Sequence, residues 1–483
     1  MFRARKIRLL EPGSRPGRPF NAWIRRWPLL GPLTLASWLH ERGYDARVYN
    51  ENISGPLPDS DRYEDVLSAD VIGISTMTAT ASRGYELADR LRRDGSAATI
   101  VFGGAHATFL PDEALSHGDV VVRGEGETVI EAIARGDIAE GIVDAEPLAD
   151  LDALPTIDHT LMDDFDDLVG GSGRRELYPL PLMTSRGCPY GCTYCCVTRM
   201  FGRRVRRQSV DKVHAALKRY ADAGFGQVFF YDDNFTTDRR WTRDLLERMR
   251  PMRLRFNAQA RVDFPWADRA RTKLDTDLLR SMKRAGGDVL YVGYETVDDA
   301  TAARWNKGYR GADRLAVRLA EDTHILHEAG FWVHGMFVFG PQHTESTARQ
   351  IVDFARDNRI ETIQISVLTP LPGTPLMNEL RPHLMFRDFP NDWDFYDGTH
   401  CVYDHGRLPA ERVQRVVFDA HRTFYRWGGW SLRRVRGLLE QRGGAVDKLR
   451  ELWTNARTAR RTLASWRRET EAFIGRIRQK VVE

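Results

Sequence analysis

Cys188, Cys192 and Cys195 fall in the run Arg186-Gly-Cys-Pro-Tyr-Gly-Cys-Thr-Tyr-Cys-Cys196, with the spacing C-x3-C-x2-C and Tyr194 just before the third cysteine. Three thiolates on one tight loop can hold three irons of a four-iron cluster and leave the fourth iron open. An open iron can bind and reduce a small molecule, so the loop reads as a reactive cluster site. A structural zinc site is the first rival, but it usually takes four ligands from two separated cysteine pairs. Cys196 offers a fourth sulfur, although neighbouring residues rarely both face one tetrahedral metal. A disulfide fits poorly, because the chain has five cysteines and four of them crowd this loop, leaving Cys401.

Such a loop needs a scaffold, and the flanking sequence supplies strand–helix units. Residues 180–184 read as a strand feeding the cysteines. Helix 210–223, strand 227–231, helix 240–249 and strands 255–259, 289–292, 332–339 and 362–367 follow. Repetition of this kind over residues 179–400 predicts a parallel barrel, full or partial. Polar and glycine residues recur at its strand ends, where a barrel places its site. They are Asp232-Asp233-Asn234, Gln259 with Arg261, Gly293-Tyr294-Glu295, Gly340 to Glu345, and Leu371 to Pro375.

Residues 1–143 alternate apolar runs with amphipathic stretches. Strands are expected at 6–10, 46–49, 71–75, 99–102 and 120–122, and helices at 32–42, 82–93 and 128–134. This is the pattern of a doubly wound parallel sheet, an α/β unit whose ligands sit at the carboxyl ends of the strands. Three loops lie there: Ser75-Thr76-Met77-Thr78, Gly103-Gly104-Ala105-His106, and Gly124-Glu125-Gly126-Glu127. Paired glycines let a large cofactor approach the backbone. A dinucleotide site is the main alternative, but Glu11-Pro-Gly-Ser-Arg-Pro-Gly17 after the first strand carries no G-x-G-x-x-G. His106, beside a glycine pair, reads first as a hydrogen-bonding loop residue.

Residues 144–178 lose periodicity and read as a linker, with the acidic run Asp163-Asp-Phe-Asp-Asp167 as a solvated face. Residues 401–483 turn helical and arginine-rich. Leu449, Trp453, Ala456, Leu463, Trp466, Phe473 and Ile477 keep helical spacing, with Trp427 and Trp430 before them. This tail predicts either a cap packed on the barrel or a basic helix lying on anionic lipid. Sixteen Lys and Arg against six Asp and Glu in residues 422–483 give the tail +10; the whole chain carries +4, so the remainder carries −6. The basic surplus in the tail argues against nucleic-acid binding by the body. At 483 residues, with 42 % hydrophobic and 29 % charged residues, the chain reads as a multidomain globular protein. No apolar run approaches the roughly 18 residues of a membrane span. Few cysteines and no export signal predict a reducing cytoplasm, with peripheral contact to the inner face of the membrane if the tail binds lipid.

The cysteine loop resembles that of the radical S-adenosylmethionine (SAM) superfamily, and residues 1 to about 400 resemble its branch with an N-terminal cobalamin-binding-type domain. The resemblance implies a Rossmann-like domain followed by a partial, TIM-like (β/α)6 barrel. It implies a 4Fe-4S cluster on Cys188, Cys192 and Cys195, and SAM bound through its amino and carboxylate groups to the open iron. A reduced cluster then cleaves SAM to a 5′-deoxyadenosyl radical that takes hydrogen from an unactivated carbon. Gly293-Tyr294-Glu295 is similar to the family's G-G-E element, which contacts the amino end of SAM. Tyr194, Gly340 and Ile365 would line the adenosine, and Asp232, Asp233 and Arg261 its ribose or carboxylate. Ser75, Thr76 and Met77 with Gly103 and Gly104 are similar to the two cobalamin-tail motifs, and Gly124 and Gly126 belong to the same rim. The family's D-x-H-x-x-G axial loop is absent, so no protein histidine is expected on the cobalt. Methyl transfer to a lipid or secondary metabolite is the implied outcome, fed by an electron donor such as flavodoxin or ferredoxin. A radical SAM enzyme with an empty N-terminal domain and a non-catalytic cluster module remain as alternatives.

Overall fold

The computed structural model describes residues 5–15, 27–170, 172–268, 270–308, 314–404, 406–425 and 445–482. The first layer is a parallel sheet of β1 (Lys6–Glu11), β2 (Asp45–Asn50), β3 (Val71–Ser75), β4 (Thr99–Gly103), β5 (Val120–Gly124) and β6 (Gly141–Ala145), in the order β2-β1-β3-β4-β5-β6. β3 and β4 are almost continuously apolar because helices cover both faces of a parallel sheet. Helix α1 (Leu30–His40) buries Leu30, Leu33, Ala36 and Leu39 at a spacing of three residues, the stripe a helix needs to lie on a sheet. The order reverses direction between β1 and β3, which opens a crevice at the carboxyl ends.

Two parts of this region differ from the sequence reading. β6 carries no apolar run: its residues alternate between half-buried and exposed, because it pairs with β5 on one side only. The stretch expected as a linker is packed. Leu151, Leu154, Ile157, Leu161, Met162 and Phe165 are buried, and Tyr220 of the barrel donates from its hydroxyl to Ile157 O at 3.1 Å. In the acidic run, Asp163 is buried and takes Arg47 at 2.7 Å as a structural anchor, while Asp164, Asp166 and Asp167 are exposed as a solvated face.

The second sheet runs β7 (Pro179–Leu182), β10 (Gln227–Phe230), β11 (Arg255–Ala260), β12 (Gly287–Glu295), β13 (Trp332–Phe339) and β14 (Thr362–Val367), all parallel and in sequential order. β7 and β14 end the sheet without pairing with each other, so it is an open (β/α)6 barrel. Helices Val210–Asp222, Arg239–Met249, Thr276–Arg284, Leu315–Glu328 and Glu345–Asp357 provide the crossovers. Between β7 and the first crossover a short antiparallel pair, β8 (Ser185–Arg186) with β9 (Arg206–Arg207), pins both ends of the cysteine-bearing excursion.

The helix Ala410–Phe424 closes the open edge. His421 Nε2 accepts from Ile365 N at 2.9 Å, and the Tyr425 hydroxyl bonds both Ile363 N and Ile363 O, so β14 presents no free edge there. The last helix (Ala445–Val482) buries Phe473, Ile474 and Ile477, each worth roughly 1.5–3 kcal/mol. That end of the tail is therefore a packed cap. Trp427 and Trp430, and the side chains of Leu449, Trp453 and Ala456, lie outside the described residues. No described helix is long and apolar enough to cross a membrane.

Candidate active site

Cys188, Cys192, Cys195 and Cys196 are free and partly exposed on the excursion held by β8 and β9. A strap from Trp305 to Gly308 holds this loop. Thr193 N donates to Trp305 O at 3.1 Å, and Asn306 Nδ2 donates to Gly191 O at 2.9 Å. Arg261, at the end of β11, donates to Lys307 O at 3.0 Å, and its guanidinium lies 4.1 Å from the centre of the Tyr190 ring. Tyr194 meets the buried Trp305 edge-on at 5.7 Å, while Gly340 backs onto the same indole so closely that a Cβ would stand 2.6 Å from it. Tyr194 and Gly340 are thus joined through Trp305, a residue the sequence reading passed over because one tryptophan in a loop carries no pattern.

Burial pushes the Cys195 thiol up to about 12 and also raises Cys188 and Cys196; the charge of Asp233 adds to all three. The thiols therefore stay protonated until a cation compensates them, as a metal cluster does. No three His, Cys, Asp or Glu side chains among the described residues converge on a single ion position. A tetrahedral zinc needs its sulfurs about 2.3 Å from one point, whereas a cluster spreads them over separate irons. The donor set itself, three cysteines on one loop, is what a four-iron cluster with one open iron takes, whereas a structural zinc takes four ligands.

The strand-end residues divide into three groups. Asp233 is exposed, yet desolvation of its carboxyl and the neighbouring Asp232 push it up to about 7. Asp233 and Arg261 both act on Cys188, so both lie at the cysteine loop. Glu295 pairs with Lys307 at 2.7 Å; Gly293 makes room, since a Cβ there would lie 2.6 Å from the Glu295 carboxylate. The third group turns away. Asp232 is fully buried and accepts from Thr184 N, Thr184 Oγ1 at 2.8 Å and Ser185 Oγ, so its carboxylate fixes the strand entering the loop. Tyr294 is fully buried, stacks on Phe337 at 5.2 Å and bonds Thr323 Oγ1 at 2.6 Å. It belongs to the sheet–helix core, because alternation along β12 sends it to the face opposite Gly293 and Glu295. Ile365 is likewise core.

At the N-terminal sheet a mostly apolar cavity of about 180 Å³ opens at the carboxyl ends of β3, β4 and β5. Ser75, Gly103, Gly104, Gly124 and Gly126 line it. A Cβ on Gly103 would meet nothing within 4 Å, so that glycine faces open space. Gly104, at φ +89°, lies under Thr76: a Cβ would stand 2.7 Å from Thr76 O, and His106 N donates to that same oxygen. The slot fits the apolar end of a corrinoid tail. Thr76 and Met77 are not in its lining, and neither is His106, which is buried with its Nε2 3.1 Å from Glu113 Oε1.

Met183, Arg186, Met200 and Phe201, which flank the cysteines, form the far wall of this cavity. Arg186 donates to Glu125 Oε2 and to Glu127 Oε1, each at 2.6 Å, and Arg206 also holds Glu125. All three of Arg186, Glu125 and Glu127 are buried. The sequence signal was present in two acids flanking Gly126 and an arginine beside the cysteines, but nothing in one chain says that they meet.

The family model described as B12 binding domain matches residues 25–134, and that of the Radical SAM superfamily matches residues 182–355. The chain is 27 % identical over 441 residues to bacteriochlorophyllide d C-12(1)-methyltransferase of Chlorobaculum tepidum, covering 90 % of each. Its fold is similar to that of the radical SAM methyltransferase TsrM from Kitasatospora setae, solved with cobalamin and a [4Fe-4S] cluster, at a TM-score of 0.65 and 14 % identity over 100 % of both chains. It is also similar to the cobalamin-dependent radical enzyme OxsB, at a TM-score of 0.69 and 16 % identity over 96 % of this chain and 72 % of that one. With its cluster loop on an open barrel and its glycine-rimmed slot beside it, the chain belongs to the radical SAM superfamily, in the branch that carries an N-terminal B12-binding domain.

Proposed function

We propose that this chain is a cobalamin-dependent radical C-methyltransferase acting on an apolar small molecule, a lipid or secondary metabolite. The observation that carries this reading is the contact between the two candidate cofactor sites: the walls of the tail cavity and the root of the cysteine loop share Arg186, Met200 and Phe201. Together the bound groups supply a one-electron cleavage of SAM and a transferable methyl group.

The residues of the chain do the positioning. The strap at 305–308, with Arg261 and Tyr190, fixes the cysteine loop over the barrel mouth. Inside the barrel, rings run across three strands. Phe229 lies 5.1 Å from Tyr291 and 5.3 Å from Tyr231, Tyr291 lies 5.0 Å from His334, and Trp27 of the first domain reaches Phe229 at 5.0 Å. Burial pulls His334 down to about 4, so it stays a neutral imidazole. These rings make the barrel interior apolar, which suits a flat or apolar substrate, while the cavity of about 350 Å³ beside the cysteine loop is polar, lined by Tyr190, Arg203, Arg261, Asp263 and Asp322. The name of the Chlorobaculum relative, which specifies a bacteriochlorophyllide, supports a substrate of this class. The electron is proposed to come from a one-electron carrier in a reducing compartment.

The test is anaerobic reconstitution with iron, sulfide, SAM and reductant, with and without cobalamin. Formation of 5′-deoxyadenosine, and of S-adenosylhomocysteine only when cobalamin is present, is expected. Equal product with and without corrinoid points to an empty first domain, and stoichiometric zinc without iron rejects the reading.

A further inference from the structure

Residues 197–207 contain five arginines and no acid, within a body that is otherwise net negative. Two of the five are absorbed: Arg206 is held by Glu125, and Arg207 is half-buried over the Trp241 ring at 5.2 Å. Arg199, Arg203 and Arg204 are exposed, and none of them has an ion-pair partner among the described residues. Their backbone is the support of the cysteine loop. Gly202 O accepts from Cys188 N at 3.3 Å, and Gly187 lies so close that a Cβ there would stand 2.5 Å from Arg204 O. Arg203 Nη2 donates to Pro189 O at 3.2 Å, between two of the cysteines. The inner face of the same segment, Met200 and Phe201, belongs to the tail cavity. One short segment therefore touches the cysteine loop with its backbone and carries exposed positive charge, with Arg203 at the rim of the cavity it shares with Tyr190, Gly191 and Arg261.

We propose that Arg199, Arg203 and Arg204 form the docking surface for a small acidic one-electron carrier protein. The proposal rests on the radical SAM reading above and adds where the electron enters. The occupant follows from two requirements. The surface is cationic, so its partner is anionic; and a partner seated on residues 202–204 is separated from Cys188 by one layer of backbone, the placement an electron donor needs. The transfer moves one electron: an anionic flavin hydroquinone becomes the neutral semiquinone while the oxidised cluster gains the electron, and no bond is made or broken.

The experiment compares the reconstituted full-length protein with Arg199→Glu/Arg204→Glu, leaving Arg203 and its bond to the loop intact. Cluster reduction is followed by stopped-flow absorbance with two reductants: fully reduced flavodoxin, an acidic protein, and reduced methyl viologen, a small cation. Flavodoxin is expected to reduce the variant at least tenfold more slowly at low salt. The gap should close as added salt shortens the screening length from about 10 Å at 0.1 M towards about 3 Å at 1 M. The viologen rate should be unchanged or higher. Arg199→Gln/Arg204→Gln, which only deletes charge, should fall between wild type and the reversal. Equal flavodoxin rates in variant and wild type overturn the docking surface, and so does an equal slowing with both reductants, because the change then lies in the cluster. Wild-type protein that assembles no cluster, or whose cluster viologen cannot reduce, overturns the radical SAM reading itself.

Discussion

Replacing Arg186 by methionine tests whether the ion cluster between the two domains holds the site together. Arg186 is 5 % exposed at its side chain, against 2 % for Glu125 and 4 % for Glu127. Glu125 keeps Arg206 after the change, but Glu127 loses its ion-pair partner. Removing one member of a buried pair strands a charge in a poorly polarisable site and costs about 3–5 kcal/mol. Glu127→Gln removes the opposite charge while Arg186 retains Glu125, so that variant should lose less, about 1–3 kcal/mol. In the double variant no carboxylate is stranded, and its loss should be smaller than the sum of the two singles by more than about 1 kcal/mol. Urea unfolding followed by tryptophan fluorescence gives the stabilities; retention of hydroxocobalamin on gel filtration reports the adjoining cavity, which Arg186→Met should weaken. A cost for Arg186→Met under about 1 kcal/mol, or singles that add within about 0.5 kcal/mol, refutes the argument.

The other expectations concern single positions. Gly103→Leu starts into the open slot with a Cβ that meets nothing within 4 Å, so it should abolish cobalamin uptake by absorbance while stability changes by no more than about 0.5 kcal/mol. Tyr294→Phe removes a buried hydroxyl bonded to Thr323; it should cost about 1 kcal/mol in unfolding and leave SAM cleavage intact, and lost cleavage with an unchanged fold would return Tyr294 to the ligand site. Burial raises Glu11 from 4.5 to about 8, so the folded state binds its proton more tightly and stability should fall as pH rises from about 4.5 to about 8. Glu11→Gln should flatten that part of the pH–stability curve, and an unchanged slope refutes the assignment. His159, His334 and His421 are held neutral by burial down to about 4, so each contributes stability that disappears as pH falls from about 6.5 to about 4, visible as acid unfolding in that window.

The frame of the molecule was legible wherever a local pattern matched a local cause. β3 and β13 span 71–75 and 332–339, as read from their largely apolar runs, because a parallel strand covered on both faces is apolar on both; β14 spans 362–367, where Ile363, Ile365 and Val367 alternate with Thr362, Gln364 and Ser366 and only the apolar set is buried. β6 was illegible for the converse reason: an edge strand needs no apolar run. Residues 151–165 lacked periodicity because they pack irregularly between two domains, and burial there follows from the partner surfaces.

At the site the limit is different. Residue type and spacing place a thiol on a loop or a glycine at a strand end, but they do not say which way a side chain leaves the sheet. Asp232 and Asp233 are neighbours in a motif; one is spent on Thr184 and Ser185 and the other is exposed, with its charge acting on the cysteines. Gly293 and Tyr294 are neighbours too, and the strand's twofold alternation puts the glycine at the mouth and the tyrosine in the core. In both pairs every second residue of the motif supports the fold. The same division explains Trp305 and Arg186, which bear no chemistry yet fix where the cysteines stand: a reactive loop that must stay partly exposed can be held rigid only by residues behind it, and those are set by three-dimensional contact. A site search on sequence therefore finds reactive groups more readily than the residues that aim them.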